Sequence, residues 1–282
     1  MSSADSSTCH PLSLTREISG FPIGNLPLAA HQRQVLASSG LGAHPHAWLD
    51  PADVRDFLAS GATVMTDAAG HMIAWHGDAP GDGGMFEAGN SFLIRYPWDI
   101  LRANEQHVSA MEQGSIEGGI HAAAVVEGVL RLGPGSRILP GVFIEGNVII
   151  GAHCKIGPNC HIRGHTSIGD RCHIGQSVEI KNCVILSGTN VGHLSYVGDS
   201  VLGENVNFGA GTTVSNLRHD GKSHRSRAGG VLVDTGRRKF GTIVGDGVHT
   251  GINTTIYPGR KLWPGTTTLP GEIVRKDVSS AG

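Results

Sequence analysis

From Ile120 onward an aliphatic residue recurs at every sixth position. Ile120, Val126, Leu132, Ile138, Ile144, Ile150, Ile156, Ile162, Ile168, Ile174 and Ile180 keep this spacing without a miss. A helix repeats every 3.6 residues and a strand every 2, so neither explains a sustained period of six. The period is that of a hexapeptide β-helix, in which each short strand sends one aliphatic side chain into a continuous inner stack. The register slips by one residue to Ile185, Val191 and Val197, and again to Leu202, Phe208 and Val214. After an interruption over 215–242 it resumes at Val244, Thr250, Ile256, Leu262, Thr268 and Val274.

Residues 1–112 follow a different pattern and predict a small α/β N-terminal domain. In LDPADVRDFLASG, Asp50 reads as an N-cap, Pro51 as the first helical residue and Gly61 as the stop. ATVMT and HMIAW, joined by DAAG, predict a β-hairpin. YPWDILRANEQHVSAM predicts a helix from about Asp99, with Ile100, Leu101, Asn104 and Val108 at helical spacing. The first twenty residues have no basic stretch followed by an apolar core, so they read as a polar tail rather than a signal peptide.

Composition narrows the classes. There are 42 glycines in 282 residues, and aromatic residues make up only 5%, which suits tight coils better than a core of large rings. A net charge of -2 gives no reason to expect nucleic acid or an anionic membrane as partner. Cys9, Cys154, Cys160, Cys172 and Cys183 are odd in number and form no C-x-x-C. A disulfide framework or thiolate zinc site is therefore not expected, and a reducing cytoplasm fits. No apolar run reaches the ~18 residues of a membrane span.

The repeat resembles that of the hexapeptide acyltransferases, which implies three hexads to a coil, so residues 18 apart stack at about 4.8 Å. Glu127, Glu145, Arg163 and Lys181 then form one outward column. It reads as a solvated ion-pair ladder at its acidic end and as an anion site at Arg163 and Lys181. His153, His161, His165 and His173 raise a zinc reading, but ligand spacing for such a site is missing, and no metal is expected.

The segment VEIKNCVILSGTNVGHLSYVGDSVLGENVNFGAGTTVSN, with GRRKFGTIVGDGVHTGIN after it, resembles one family. This is the acetyltransferase half of the bifunctional enzymes of UDP-N-acetylglucosamine synthesis, and especially the archaeal-type sugar-phosphate nucleotidylyltransferase-acetyltransferases. The likeness covers roughly residues 115–278. It implies a left-handed parallel β-helix of hexapeptide repeats over 113–282, acetyl-CoA as co-substrate, an amino-sugar phosphate such as glucosamine-1-phosphate as acceptor, and a homotrimer. It implies His193 as general base and Glu179 as the carboxylate that orients it. It places Arg163, Lys181, Tyr196, Asn207 and Lys239 on the sugar phosphate, and Ala210, Asn216, Gly251 and Ile252 on acetyl-CoA. Leu217, Ile252 and Pro270 depart from residues usual in bacterial members.

The chemistry of these residue types is consistent with that assignment. A histidine titrating near ~6.5 can accept an amine proton at working pH, and a carboxylate can hold its tautomer. Arg and Lys suit phosphate, and glycine turns such as GAGT offer N–H donors to a developing oxyanion. The one-residue slips read as the place where the frame projects His193 and Tyr196. The basic insert over 215–242 reads either as a solvated excursion or as a phosphate clamp. Residues 1–112 lack the G-x-G-[ST]-R loop of the nucleotidyltransferase half, so no nucleotidyl transfer is expected. Two further readings stay open: acylation of a nucleotide-linked amino sugar, and a non-catalytic trimeric scaffold for a nucleotidyltransferase partner.

Overall fold

A computed structural model describes residues 6–77, 81 and 83–279. The chain is mainly β. Its larger unit comprises residues 1–15, 23–25 and 96–282, and the smaller one residues 16–22 and 26–95. The boundary expected at 112/113 therefore falls inside the larger unit.

That unit is a parallel β-helix with three sheets, one strand of each per coil. Face 1 holds eight strands, from Ser115–Ile116 through Thr166–Ile168 and Val201–Leu202 to Arg260–Leu262. Face 2 holds six, from Gly119–Ile120 to Asn207–Phe208, and is continued by parallel bridges Asn207–His249 and His249–Thr267. Face 3 holds eight, from Val125–Glu127 to Ile273–Val274. The six-residue pattern dictates this: a two- or three-residue strand turns at each corner and leaves one side chain per hexad inside. Ile138, Ile144, Ile150, Ile156, Ile162, Ile168, Ile174 and Ile180 are all 0–2% exposed and form one cluster with Val191, Val197, Leu202 and Phe208. Burial of each aliphatic contributes roughly 1.5–3 kcal/mol. The stack is open at its start, where Ile120 is 38% exposed. Its later threonines stay satisfied: Thr250 and Thr268 pair through their hydroxyls with Thr212 at 2.9 Å and Thr254 at 2.8 Å.

Both register slips lie at the corner from face 3 to face 1. Arg163 pairs with Lys181, 18 residues on, but Ser167 pairs with Val184, 17 on. Coils stay 17 residues long until Leu202 pairs with Val244, 42 residues on, where the insert enters. The expectation that the slips project His193 is therefore corrected. His193 lies at the corner from face 2 to face 3, and the shortened corner carries Asn182 and Asp199, both with positive φ.

Face 1 is covered by α3 (Pro97–Ser109), which begins two residues before the expected Asp99. Trp98, Ile100, Leu101 and Val108 are buried on it. Buried Asn104 uses both of its amide heavy atoms: it accepts from Gly24 N (2.9 Å) and Ser167 Oγ (2.8 Å) and donates to the His165 carbonyl (2.9 Å). The five cysteines are free and buried.

The smaller unit is α/β. It has α1 (Leu28–Val35), α2 (Pro51–Ser60) and a four-stranded sheet ordered 41–43, 72–76, 64–66, 85–87. Asp50 caps α2 through Ala52 N and Asp53 N, and Gly61 ends it in the left-handed region. The expected hairpin is present, Val64–Thr66 pairing antiparallel with Met72–His76.

The expectation of a polar N-terminal tail is corrected for the described residues. Ser6–Cys9, Leu12–Leu14 and Ile18–Gly20 form short 3-10 turns with Cys9, Leu12 and Ile18 buried, while residues 1–5 lie outside the described part. Within the larger unit, Lys261 anchors this segment. It is 1% exposed, donates to the His10 carbonyl at 2.9 Å and lies over the Trp98 ring at 5.7 Å. Burial pushes its ammonium down to about 8, against the raising influence of Asp277 and Cys9. Lysine in the unfolded chain keeps its proton to about 10.4. Between these values the unfolded chain binds more protons, so this group makes stability rise with pH across about 8 to 10.4. Below pH 8 its penalty is fully present. Lys261→Met should flatten that slope, seen as a wild-type-minus-variant difference in urea midpoint that changes between pH 7.5 and 10.

Candidate active site

His193 sits in the turn after the face 2 strand Asn190–Val191, at the corner leading to face 3. Two local features fix it. A Cβ on Gly192 would come within 2.6 Å of the Phe208 carbonyl oxygen, so only glycine fits before it. Leu194 after it adopts φ 62°, while its equivalents on the next two coils are Gly211 and Asn253. A leucine there costs about 1–2 kcal/mol, and its side chain is 67% exposed.

Backbone ladders stack Gln176, His193, Ala210 and Ile252 on successive coils. Leu194 N donates to Gln176 O, Gly211 N to His193 O, and Asn253 N to Ala210 O. Gly251 lies in the same turn as Ile252. The structure thus brings the expected base and three of the four expected acetyl-CoA residues into one column. Beside it lies a cavity of about 410 Å³ lined by Lys155, His173, Gln176, Asn190, His193 and Asn207, together with Gly157, Gly175 and Gly192.

The other expected residues lie on face 3. Arg163 donates through Nε (2.9 Å) and Nη2 (2.7 Å) to Oε1 of Glu179. Among the described residues no hydrogen bond joins Glu179 to His193. Lys181 Nζ donates to both Asp199 oxygens at 3.0 and 2.8 Å. Asp199 Oδ2 also accepts from Asn216 Nδ2 at 2.6 Å and Oδ1 from Asn182 Nδ2 at 3.1 Å. The Asn216 amide further donates to the Tyr196 hydroxyl at 3.0 Å. Burial, then the charges of Asp199 and Glu179, raise the Tyr196 phenol above its ordinary value, so it keeps its proton and can donate it outward. Asn182 donates to Glu105 at 2.6 Å, and Glu105 holds Arg237 from the insert. Lys181, Tyr196 and Asn216 are therefore joined, but around a carboxylate. Asn207 is on face 2, away from Arg163, Lys181 and Tyr196 in the sheet order.

Asp199, Asn182, Glu105 and Lys155 were not singled out from the sequence. The signal for Asp199 was available: it ends GHLSYVGD at a shortened corner, where Asp or Asn tolerates positive φ better than most residues. The insert is built rather than open. Arg225–Ala228 and Val231–Asp234 pair as a hairpin, Ser226 Oγ donates to Gly259 O at 3.0 Å, and Phe240 is buried. Lys239 is exposed beside it, bridged to Leu217 through the backbone.

The site region is also where a family model matches. Residues 144–264 match the GMPPB C-terminal domain. That stretch contains every expected site residue. A bifunctional sugar-1-phosphate nucleotidylyltransferase/acetyltransferase of Sulfurisphaera tokodaii is 41% identical over 59 residues, 21% of this chain. The match spans about 15% of that relative's length. Among solved structures, the acetyltransferase domain of PglB from Neisseria gonorrhoeae is 17% identical, with 65% of each chain covered and a TM-score of 0.27. A perosamine N-acetyltransferase variant from Caulobacter crescentus, in complex with CoA and GDP-perosamine, is 18% identical. It covers 65% of this chain and 62% of its own, with a TM-score of 0.18. No described helix is long and apolar enough to cross a membrane.

The Lys181–Asp199 pair is 15% and 4% exposed. Removing one partner leaves a buried charge unpaired. Asp199→Asn, which keeps shape and backbone tolerance, should cost about 3–5 kcal/mol in urea unfolding. The double variant Lys181→Gln/Asp199→Asn should recover much of that loss.

Proposed function

We propose that the chain transfers an acetyl group from acetyl-CoA to the amine of an amino-sugar phosphate, with glucosamine-1-phosphate as reference acceptor. The observation that carries this reading is the position of His193 on the wall of an open cavity, stacked over Ala210 and the Gly251–Ile252 turn. The name of the Sulfurisphaera relative supports an acetyltransferase, over the short stretch it shares.

In this reading the amine nitrogen attacks the thioester carbon while His193 takes its proton. The C–S bond then breaks and the proton passes to the departing sulfur. Glu179 assists His193 once substrate draws Arg163 away from it. Arg163, Lys181 and Lys239 meet the sugar phosphate, and Tyr196 and Asn207 meet hydroxyls. Arg163 Nη1 makes no bond among the described residues, so it offers the phosphate a first contact before Nε and Nη2 leave Glu179. In the GAGT turn, Gly209 N and Gly211 N are committed to Thr250 O and His193 O, which leaves Ala210 N–H as the candidate oxyanion donor. Arg163 and Tyr196 lie on face 3 and Asn207 on face 2. A homotrimer resolves this separation by setting face 2 of one copy against face 3 of the next. Its heterologous interfaces close as a ring.

Purified protein with acetyl-CoA and glucosamine-1-phosphate should release free thiol. His193→Ala should cut turnover by roughly 10²–10⁴. A nucleotide-linked amino sugar run in parallel identifies the acceptor form. No thiol release with any amino-sugar phosphate or nucleotide sugar would sink the reading, and absence of acetyl-CoA binding by calorimetry would favour a scaffold.

A further inference from the structure

Faces 2 and 3 differ in how their charges are compensated. On face 3 the cations have acids: Arg163 is held by Glu179 and Lys181 by Asp199. On face 2 the outward residues of three successive strands are Arg137, Lys155 and His173, paired in register. Arg137 and Lys155 make no ion pair among the described residues, and both are exposed. Like charges directly opposite on neighbouring strands repel, at a spacing of about 4.8 Å. Burial and then the Lys155 ammonium lower the His173 pKa, so Lys155 and His173 share one electrostatic environment. The lower end of this column opens into the His193 cavity, whose lining contains no Asp or Glu. Below it the column continues as Asn190 and Asn207, neutral side chains that can donate hydrogen bonds.

We propose that the Arg137–Lys155–His173 column binds a diphosphate group, seating it at the mouth of the His193 cavity. An anion there would relieve the in-register repulsion and accept hydrogen bonds from Lys155, His173 and Asn190. One lysine or arginine on each of two neighbouring strands suits two linked phosphoryl groups better than one. The inference extends the acetyl-transfer reading by a subsite that the sugar phosphate at Arg163 and Lys181 does not account for. Two ligands of that reaction could supply the group: CoA and a nucleotide-linked acceptor.

The test is calorimetric titration of the full chain with inorganic diphosphate, which requires no acyl chemistry. Wild type should bind it, and Arg137→Gln/Lys155→Gln should weaken binding tenfold or more, while Lys155→Arg should hold within about threefold. CoA and a UDP-linked amino sugar are then titrated against the same variants. A loss confined to CoA identifies the co-substrate, and a loss confined to the nucleotide sugar identifies the acceptor. Absence of diphosphate binding by wild type, or equal affinity in wild type and the double variant, overturns the proposal. So does a double variant whose sedimentation changes while its diphosphate affinity does not, because the column would then contact a second copy. A chain that binds diphosphate through this column yet transfers no acetyl group would keep this inference and lose the proposed reaction.

Discussion

The fold depends on the in-register stacking of one aliphatic side chain per strand inside the coil. Each buried isoleucine lies directly above its equivalent, and the parallel ladder between coils holds that alignment. The constraint acts on spacing more than on identity. A side chain one position out of phase points to solvent, and a strand two residues long cannot absorb the error. The outer surface is freer in return: outward positions within the strands tolerate varied side chains as long as the inner one is kept. The columns of charge and amide on faces 2 and 3 exist because the interior leaves those positions unconstrained.

The same constraint explains which parts of the molecule could be read from the sequence. The period of six identified the coils, their pairing and the interrupted segment, because a strict repeat is an unambiguous signal. The column Glu127, Glu145, Arg163, Lys181 followed from it and is present. The partners of those charges did not follow. Asp199 reaches Lys181 because two corners are each one residue short, and a count along the chain shows the shortening but not which corner takes it. Glu105 meets Asn182 and Arg237 across long sequence separations, which no local pattern encodes. The N-terminal segment misled for a similar reason. Its polar composition hid Cys9, Leu12 and Ile18, and its tie from His10 to Lys261 spans most of the chain.

Electrostatically, the candidate site has two parts of different character. On face 3 the cations are committed to carboxylates in a network running from Tyr196 through Asn216 and Asp199 to Lys181 and Asn182. Such a network is geometrically rigid, since Asp199 accepts from Lys181, Asn216 and Asn182 together. Around His193 the surroundings are more open, with exposed amides, uncompensated cations and a strained leucine. A fixed arrangement beside an adaptable one suits a reaction that must hold one ligand while another enters and leaves.

The corner between face 3 and face 1 is where the chain both loses and gains length. Two coils lose a residue there at Asn182 and Asp199, and the insert leaves after Val214 and returns at Thr242 on the same edge. Strands above and below keep their pairing in each case. That edge therefore uncouples chain length from coil register, and the insert can diverge there as a module of its own. Peptides or whole domains grafted at this seam would inherit a rigid support, whereas the same grafts at the His193 corner would sever the column that frames the reaction.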